Sequence, residues 1–457
     1  MSKGLHQLSR PKGSLFFGNT FDFAKDPLSF LTACAADYGE IVPLRFLFSS
    51  ACLLTQAEHI EQVLKQPELF TKRTPAWQAV RSLVGEGLLT SEGAFWARQR
   101  RLMQPMFHQQ RIAAYGETMV LYAERMVQTW QEGEVRDVHQ DMMQLTLNIV
   151  TKTLFNVDMT GVAAQTIAQT LEVAMEWFFS RRKQAFLPLT GLPTPINRRY
   201  KQALQTMDQA IAALIQERRQ SGNDPGDLLS LLLQAQDEDG NRMSDRQLRD
   251  ELTTLMLAGH ETTANALSWT WMLLAQHPAV ESKLVSELQV VLGDRTPTLA
   301  DLPQLRYTEQ IIKEALRLYP PLFSLARAPI QDCELAGYHI PARYILIFSP
   351  WVMHRSARYF TNPLQFQPER WEHDLEKQLP KGVYFPFGEG PRVCIGRSFA
   401  LMEAVLLLAT FAQKYQFRLL PDQRLTPLPS MTLRPQAGIL IQVTKRTKVK
   451  PRAVEGQ

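Results

Sequence analysis

Ser244 to His277 reads as one uninterrupted helix, and it leaves the fold less freedom than any other segment. Ser244 followed by Gln247 has the form of a capping box, Pro278 stops the run, and at 1.5 Å per residue the span is about 50 Å. A helix that long crosses the whole molecule, so the rest of a 457-residue chain must pack around it. Its middle is unusual. Ala258-Gly259-His260-Glu261-Thr262-Thr263 places glycine and consecutive threonines where each poor helix former costs about 1 kcal/mol. Ala258 and Gly259 open a groove there, Thr262 can bond a preceding carbonyl, and Glu261 can carry protons. A plain kinked core helix would explain the same residues.

Around this helix the pattern predicts a mainly α molecule with a smaller sheet built from distant parts of the chain. The apolar runs Ile41–Leu47 and Ala51–Thr55, split by Ser49-Ser50, read as paired strands. Helical periodicity dominates from about 91 to 320, broken at Leu187–Pro195 and at Gly222-Asn223-Asp224-Pro225. It returns at 396–414, and the β-rich parts fall at about 39–56, 327–349 and 416–446, with a strand over Gly438–Val443. No linker divides the chain, so residues 1–457 are expected to form a single domain.

Composition excludes several classes. The longest apolar stretch, Phe399–Ala412, is short of the roughly 20 residues a membrane span needs and contains Glu403. The start has no apolar signal segment, which predicts a cytoplasmic protein without a membrane anchor. The net charge of +5 comes with no basic run interleaved with aromatics, so nucleic acid is not an expected partner. Cys34, Cys52, Cys333 and Cys394 form neither a CxxC nor a zinc spacing, and a reducing compartment fits them.

One cysteine differs from the others. Phe387-Gly388-Glu389-Gly390-Pro391-Arg392-Val393-Cys394-Ile395-Gly396 sets Cys394 among glycines, two positions after Arg392 and just before an apolar helix. The positive end of a helix and a nearby guanidinium favour thiolate over thiol, and backbone N–H groups approaching the sulfur tune a metal-bound thiolate. Lys381, Arg392 and Arg397 around this loop can attract an acidic protein or simply form a solvated positive face. Elsewhere, Glu314 and Arg317 share a helix face within Tyr307–Leu318. Exposed pairs of that kind are common, but Ile311, Ile312, Leu316 and Leu318 argue for burial, and Arg370 is a candidate third member.

AGxETT, then ExxR with PER, then FGxGxRxCxG, in this order, resemble the cytochromes P-450, the haem-thiolate monooxygenases. The resemblance extends from about Pro11 to Val443, and Trp96 with Arg100 looks like the family's WxxxR helix. It implies haem b with Cys394 as the iron ligand, and Trp96, Arg100, Arg327 and Arg392 at the propionates. It also implies that Ala258 and Gly259 lie against the macrocycle and that Glu261 and Thr262 supply protons for activating dioxygen. His260 and His354 are not expected as ligands. The resemblance also implies a monomer that draws NAD(P)H electrons through a separate ferredoxin or flavodoxin and its reductase. The substrate would be small and hydrophobic, a fatty acid or terpenoid-like molecule, lying among Trp77, Val80, Leu83, Phe178, Phe179, Leu322, Phe323, Leu325 and Met431, unless these fill core. Arg181-Arg182-Lys183 can meet a carboxylate at the pocket mouth or form a solvated helix end. The chain departs from the family pattern at Ala342-Arg343, where a glycine turn is usual, and at Trp371, where phenylalanine is usual and a change of packing alone is expected. Two rival readings are a non-catalytic haem sensor or carrier, which has no need of Glu261-Thr262, and a peroxide-driven hydroxylase, which typically replaces that pair.

Overall fold

Residues 3–47, 49–158, 162–183 and 193–446 are described by the structure, a computed structural model; the side chains of 109, 162–164 and 179–183 lie outside the description. The main helices are α1 (Pro75–Val84), α2 (Gly93–Met103), α3 (Gln109–Gln128), α4 (Val138–Phe155), α5 (Val162–Lys183), α6 (Pro195–Ser221), α7 (Asp245–Gln276), α8 (Arg306–Leu318) and α9 (Arg397–Lys414). The principal sheet has the order β1 (Ile41–Phe46), β2 (Ser49–Leu54), β6 (Ile345–Phe348), β5 (Leu325–Pro329) and β3 (Phe70–Thr71). A second sheet joins β7 (Tyr415–Leu419), β10 (Leu440–Lys445) and β4 (Val135–Asp137), and β8 (Pro427–Pro429) pairs antiparallel with β9 (Leu433–Pro435).

The central helix α7 starts as expected. Ser244 Oγ accepts from Gln247 N, and Gln247 Oε1 accepts from Ser244 N at 2.7 Å, so two orphan donors of the first turn are satisfied. Buried hydroxyls along it bond back to carbonyls four residues earlier, as Ser268 does to Ala264 at 2.6 Å and Thr270 to Ala266 at 2.7 Å. The helix is buried nearly all round, packed on α4, α8, α9 and β9. The apolar run Phe399–Ala412 becomes α9, its residues Met402–Ala412 buried in one core that reaches from Val80 to Val443. Among the described residues no helix is long and apolar enough to cross a membrane.

Three strands escaped the sequence pattern, the first of them Lys3–Gly4, which pairs parallel with Tyr338 and His339. Phe70–Thr71 and Val135–Asp137 are too short to show a period, and both exist because β5 and β10 offer them an edge. Val135–Asp137 therefore interrupts the stretch read as helical. The break at Gly222 is an αL helix end, with φ of 62°. Of the break at Leu187–Pro195, residues 187–192 lie outside the described residues. In the turn after Pro341, Arg343 itself adopts φ of 65°, the left-handed conformation for which glycine is the usual residue.

Candidate active site

Cys394 is positioned from both sides of its loop. Its N–H donates to Phe387 O at 2.9 Å, closing the loop on itself. Gly388 and Gly390 take φ of 70° and 69°, and a Cβ on Gly390 would lie 2.3 Å from Leu64 O, so these two glycines are required by the path of the chain. After Gly396 the chain enters α9. Cys394 is exposed, yet it sits deep enough for burial to push its thiol up; its surface therefore opens on internal space. The Gly396 N–H, then Arg100, Lys72 and Arg397 act against that rise. The expectation that Arg392 and the helix end favour thiolate over thiol is corrected: burial outweighs the nearby cations and raises the thiol. Iron would reverse the sign, because a coordinating thiol is deprotonated outright.

Above the cysteine loop lies a group of buried cations. Both Nη atoms of Arg392 donate to Ser91 O at 2.9 Å, and its guanidinium lies 4.4 Å from the centre of the Trp96 ring. Arg100 Nη1 donates to Val393 O at 2.9 Å, tying α2 to the residue before the cysteine. Arg327, on β5, lies against the Phe348 ring. Lys72, which sequence reasoning missed, donates from Nζ to Leu89 O at 3.0 Å. The nearest carboxylate is Glu92, 3.7 Å from Arg392, which also accepts from Lys72 N at 2.7 Å. Burial holds Arg392 and Arg327 down at about 10, with Arg392 also lowering Arg327. Lys72 is held well below its usual range by burial and then by Arg392 and Arg327. Three guanidinium groups and the basic Lys72 against one carboxylate leave a surplus that two propionates and a thiolate would neutralise, so the residues present fit a haem. Among the described residues no group of three or more His, Cys, Asp or Glu is placed to hold a bare metal ion, whereas a lone thiolate would suit an iron whose other bonds come from a macrocycle. Lys72 and Glu92 carry no motif; Glu92 sits at the N-cap of α2, and its side chain makes no cap bond.

The central helix α7 has one bare stripe. Leu255, Ala258, Gly259 and Thr262 keep accessible surface while their neighbours are buried, and their spacing places them on one face. Thr262 Oγ1 donates to Ala258 O at 2.6 Å. A Cβ on Gly259 would stand 3.2 Å from Val150 Cγ2, so its smallness also lets α4 approach. Glu261 points elsewhere: it is buried, and its Oε1 accepts from Thr432 Oγ1 at 2.7 Å. Burial raises its carboxyl, while Thr432 and then Arg434 pull it down. His260 bonds Met143 O at 3.1 Å through Nε2, and His354 Nε2 accepts from Phe385 N at 3.0 Å; both rings are committed to the protein.

The residues assigned to the substrate do not form one group. Val80 and Leu83 belong to the main core with Trp77, Phe178 and Met431 against it; Leu325, with Leu322, belongs to a second cluster; Phe323 joins Leu28 and Leu433. Leu83 has no accessible surface and fills core. The side chains of Phe179 and Arg181-Arg182-Lys183 lie outside the described residues. The basic face around the cysteine loop is also redrawn. The Arg392 side chain is only 3% exposed and turns inward, and Arg397 pairs with Glu376. A hollow of about 360 Å³ next to the loop mixes Lys65, Lys381 and Arg397 with Glu61, Glu376 and Glu389. Trp371 does more than pack: its Nε1 donates to Glu314 Oε2 at 2.9 Å.

Comparison with known proteins agrees with this geometry. The family model described as Cytochrome P450 matches residues 9–443, so the chain belongs to the cytochrome P450 family and is a monooxygenase. It is 38% identical to cyclooctatin synthase of Streptomyces melanosporofaciens, over 93% of this chain and 92% of that one. It is 33% identical to pentalenene oxygenase of Streptomyces avermitilis, over 94% and 95% respectively. The crystal structure of the cytochrome P450DA heme domain superposes with a TM-score of 0.87 at 27% identity, covering 96% of this chain and 99% of that one.

Proposed function

We propose that this monooxygenase hydroxylates a terpenoid, with electrons that start on NAD(P)H and arrive through a separate ferredoxin or flavodoxin. The observation that carries the haem site is the surplus of buried cations beside Cys394. Terpenoid chemistry is supported by the relatives named for cyclooctatin and pentalenene, and by cyclooctat-9-en-7-ol 5-monooxygenase of Streptomyces melanosporofaciens at 36% identity. Cys394 would hold the iron, and Trp96, Arg100, Arg327, Arg392 and Lys72 the propionates.

When bound, the haem supplies dioxygen binding and O–O cleavage, favoured by its thiolate ligand. The chain does the rest. Gly396 N–H holds the sulfur, and Arg392, packed on Trp96, would hold the propionates. Ala258 and Gly259 keep the bare stripe of α7 low enough for the macrocycle. Thr262 holds its hydroxyl proton toward Ala258 O until another acceptor competes, and Glu261 stores a proton out of bulk water. Apolar walls exclude water and hold the substrate. The hollow that mixes Lys65, Lys381 and Arg397 with Glu61, Glu376 and Glu389 is where the electron donor would dock.

The reduced protein with carbon monoxide tests the site. A strongly red-shifted Soret band is expected, lost in Cys394→Ala; an unchanged band in that variant overturns the ligand. Spin-state titration with cyclic terpene hydrocarbons and with fatty acids then tests the substrate class. A response to the fatty acids alone overturns the terpenoid assignment.

A further inference from the structure

Glu261 is held by a hydrogen bond at one oxygen only. Thr432 has a single hydroxyl proton and donates it to Glu261 Oε1, while the same hydroxyl accepts from Asn265 Nδ2 at 3.2 Å. While the carboxyl is ionised its oxygen takes the hydroxyl proton, and the amide presents its NH2 to the hydroxyl lone pair. Two buried atoms are then left with no protein partner among the described residues, Glu261 Oε2 and Asn265 Oδ1. They belong to residues one turn apart on the same face of α7. Buried oxygens of this kind are satisfied by ordered water when no protein donor reaches them.

We propose that Thr432 and Asn265 are positioning residues that load and orient the proton of Glu261. Thr432 commits Oε1 to accepting, so the exchangeable proton resides on Oε2. One water bridges Oε2 and Asn265 Oδ1, taking the proton from the carboxyl and returning it, with no change of oxidation state. Arg434, half-buried on β9, faces the carboxyl and favours its ionised form. Of the neighbouring titratable groups, His139 on α4 stands near Arg434 and bonds Ser268 Oγ at 3.1 Å, and His260 is on α7 itself; burial holds both histidines at about 4, so they stay neutral. The strand pair β8–β9 therefore sets the state of the acid on the central helix. This rests on Glu261 being the proton store of the proposed function.

Infrared spectroscopy tests it, because the C=O stretch of a protonated Glu261 is assigned by its loss in Glu261→Gln. Thr432→Val removes a hydrogen bond to the ionised form and is expected to move the titration midpoint of that band up by about one pH unit, with Thr432→Ser restoring the parental midpoint. Asn265→Leu removes the second partner of the water and is expected to shift the band frequency. A parental midpoint in Thr432→Val together with a parental band in Asn265→Leu overturns the proposal. Product formed per electron consumed separates the two ideas. If Glu261→Gln leaves it as in the parent, the proton store itself is wrong. If Glu261→Gln lowers it while both neighbour variants keep the parental band, midpoint and yield, only the positioning role falls.

Discussion

The molecule buries charge in two places and treats it in opposite ways. Around Glu314 every charge has partners. Arg317 donates twice to that carboxylate at 2.8 Å, Arg370 Nε donates at 2.9 Å, and Gln367 N and Trp371 Nε1 complete its shell. The remaining Arg317 donors reach His354 O, Pro363 O and Gln365 O. Around Cys394, Lys72, Arg327 and Arg392 share the single carboxylate Glu92, and the one charge beside Arg100 is the Cys394 sulfur. A saturated buried ion cluster holds a fold together; an unsaturated one is built to receive an anionic group.

That contrast can be broken experimentally. Glu314→Ala strands two buried guanidinium groups and should cost about 3–5 kcal/mol in denaturant unfolding. A cost near zero would mean that the cluster does not support the fold. Glu403, on α9, is pushed up to about 8 by burial, against its Thr263 hydrogen bond. A folded pKa above the unfolded value means that this group's contribution is fully present below about pH 4.5 and is lost as pH rises toward 8, by about 1.4 kcal/mol per unit. Glu403→Gln should flatten the stability profile across that window, and a parental profile would refute it. Trp371→Phe deletes one donor to Glu314 and should cost about 1–2 kcal/mol, measurable as a shifted denaturation midpoint. The smallest change has the opposite sign. Lys72→Met removes a buried cation from the unsaturated side, so the haem-free protein should gain about 1 kcal/mol while haem is released faster to an acceptor protein. Loss of stability without haem would place Lys72 with the saturated cluster instead.

Trp371 and Arg392 show where reading residues one at a time falls short. Both stand in recognisable motifs, yet the indole donates to a carboxylate 57 positions away and the guanidinium turns inward to Ser91 O, 301 positions away. Lys72 and Asn265 carry no local signal at all, because their roles come from neighbours that folding brings near. Arg343 shows the converse: a side chain occupies a turn that suits glycine, held by Tyr344 N bonding Pro341 O and Arg343 N bonding Pro329 O.

By itself the sequence determined what is periodic or local: the capped central helix with its Gly259-to-Thr263 run of poor helix formers, the glycine-framed Cys394, and the Glu314–Arg317 spacing on one helix face. Tertiary structure alone decided which of these are saturated. Whether a buried charge is matched depends on the count of partners around it, and that count is set by segments far apart in the chain.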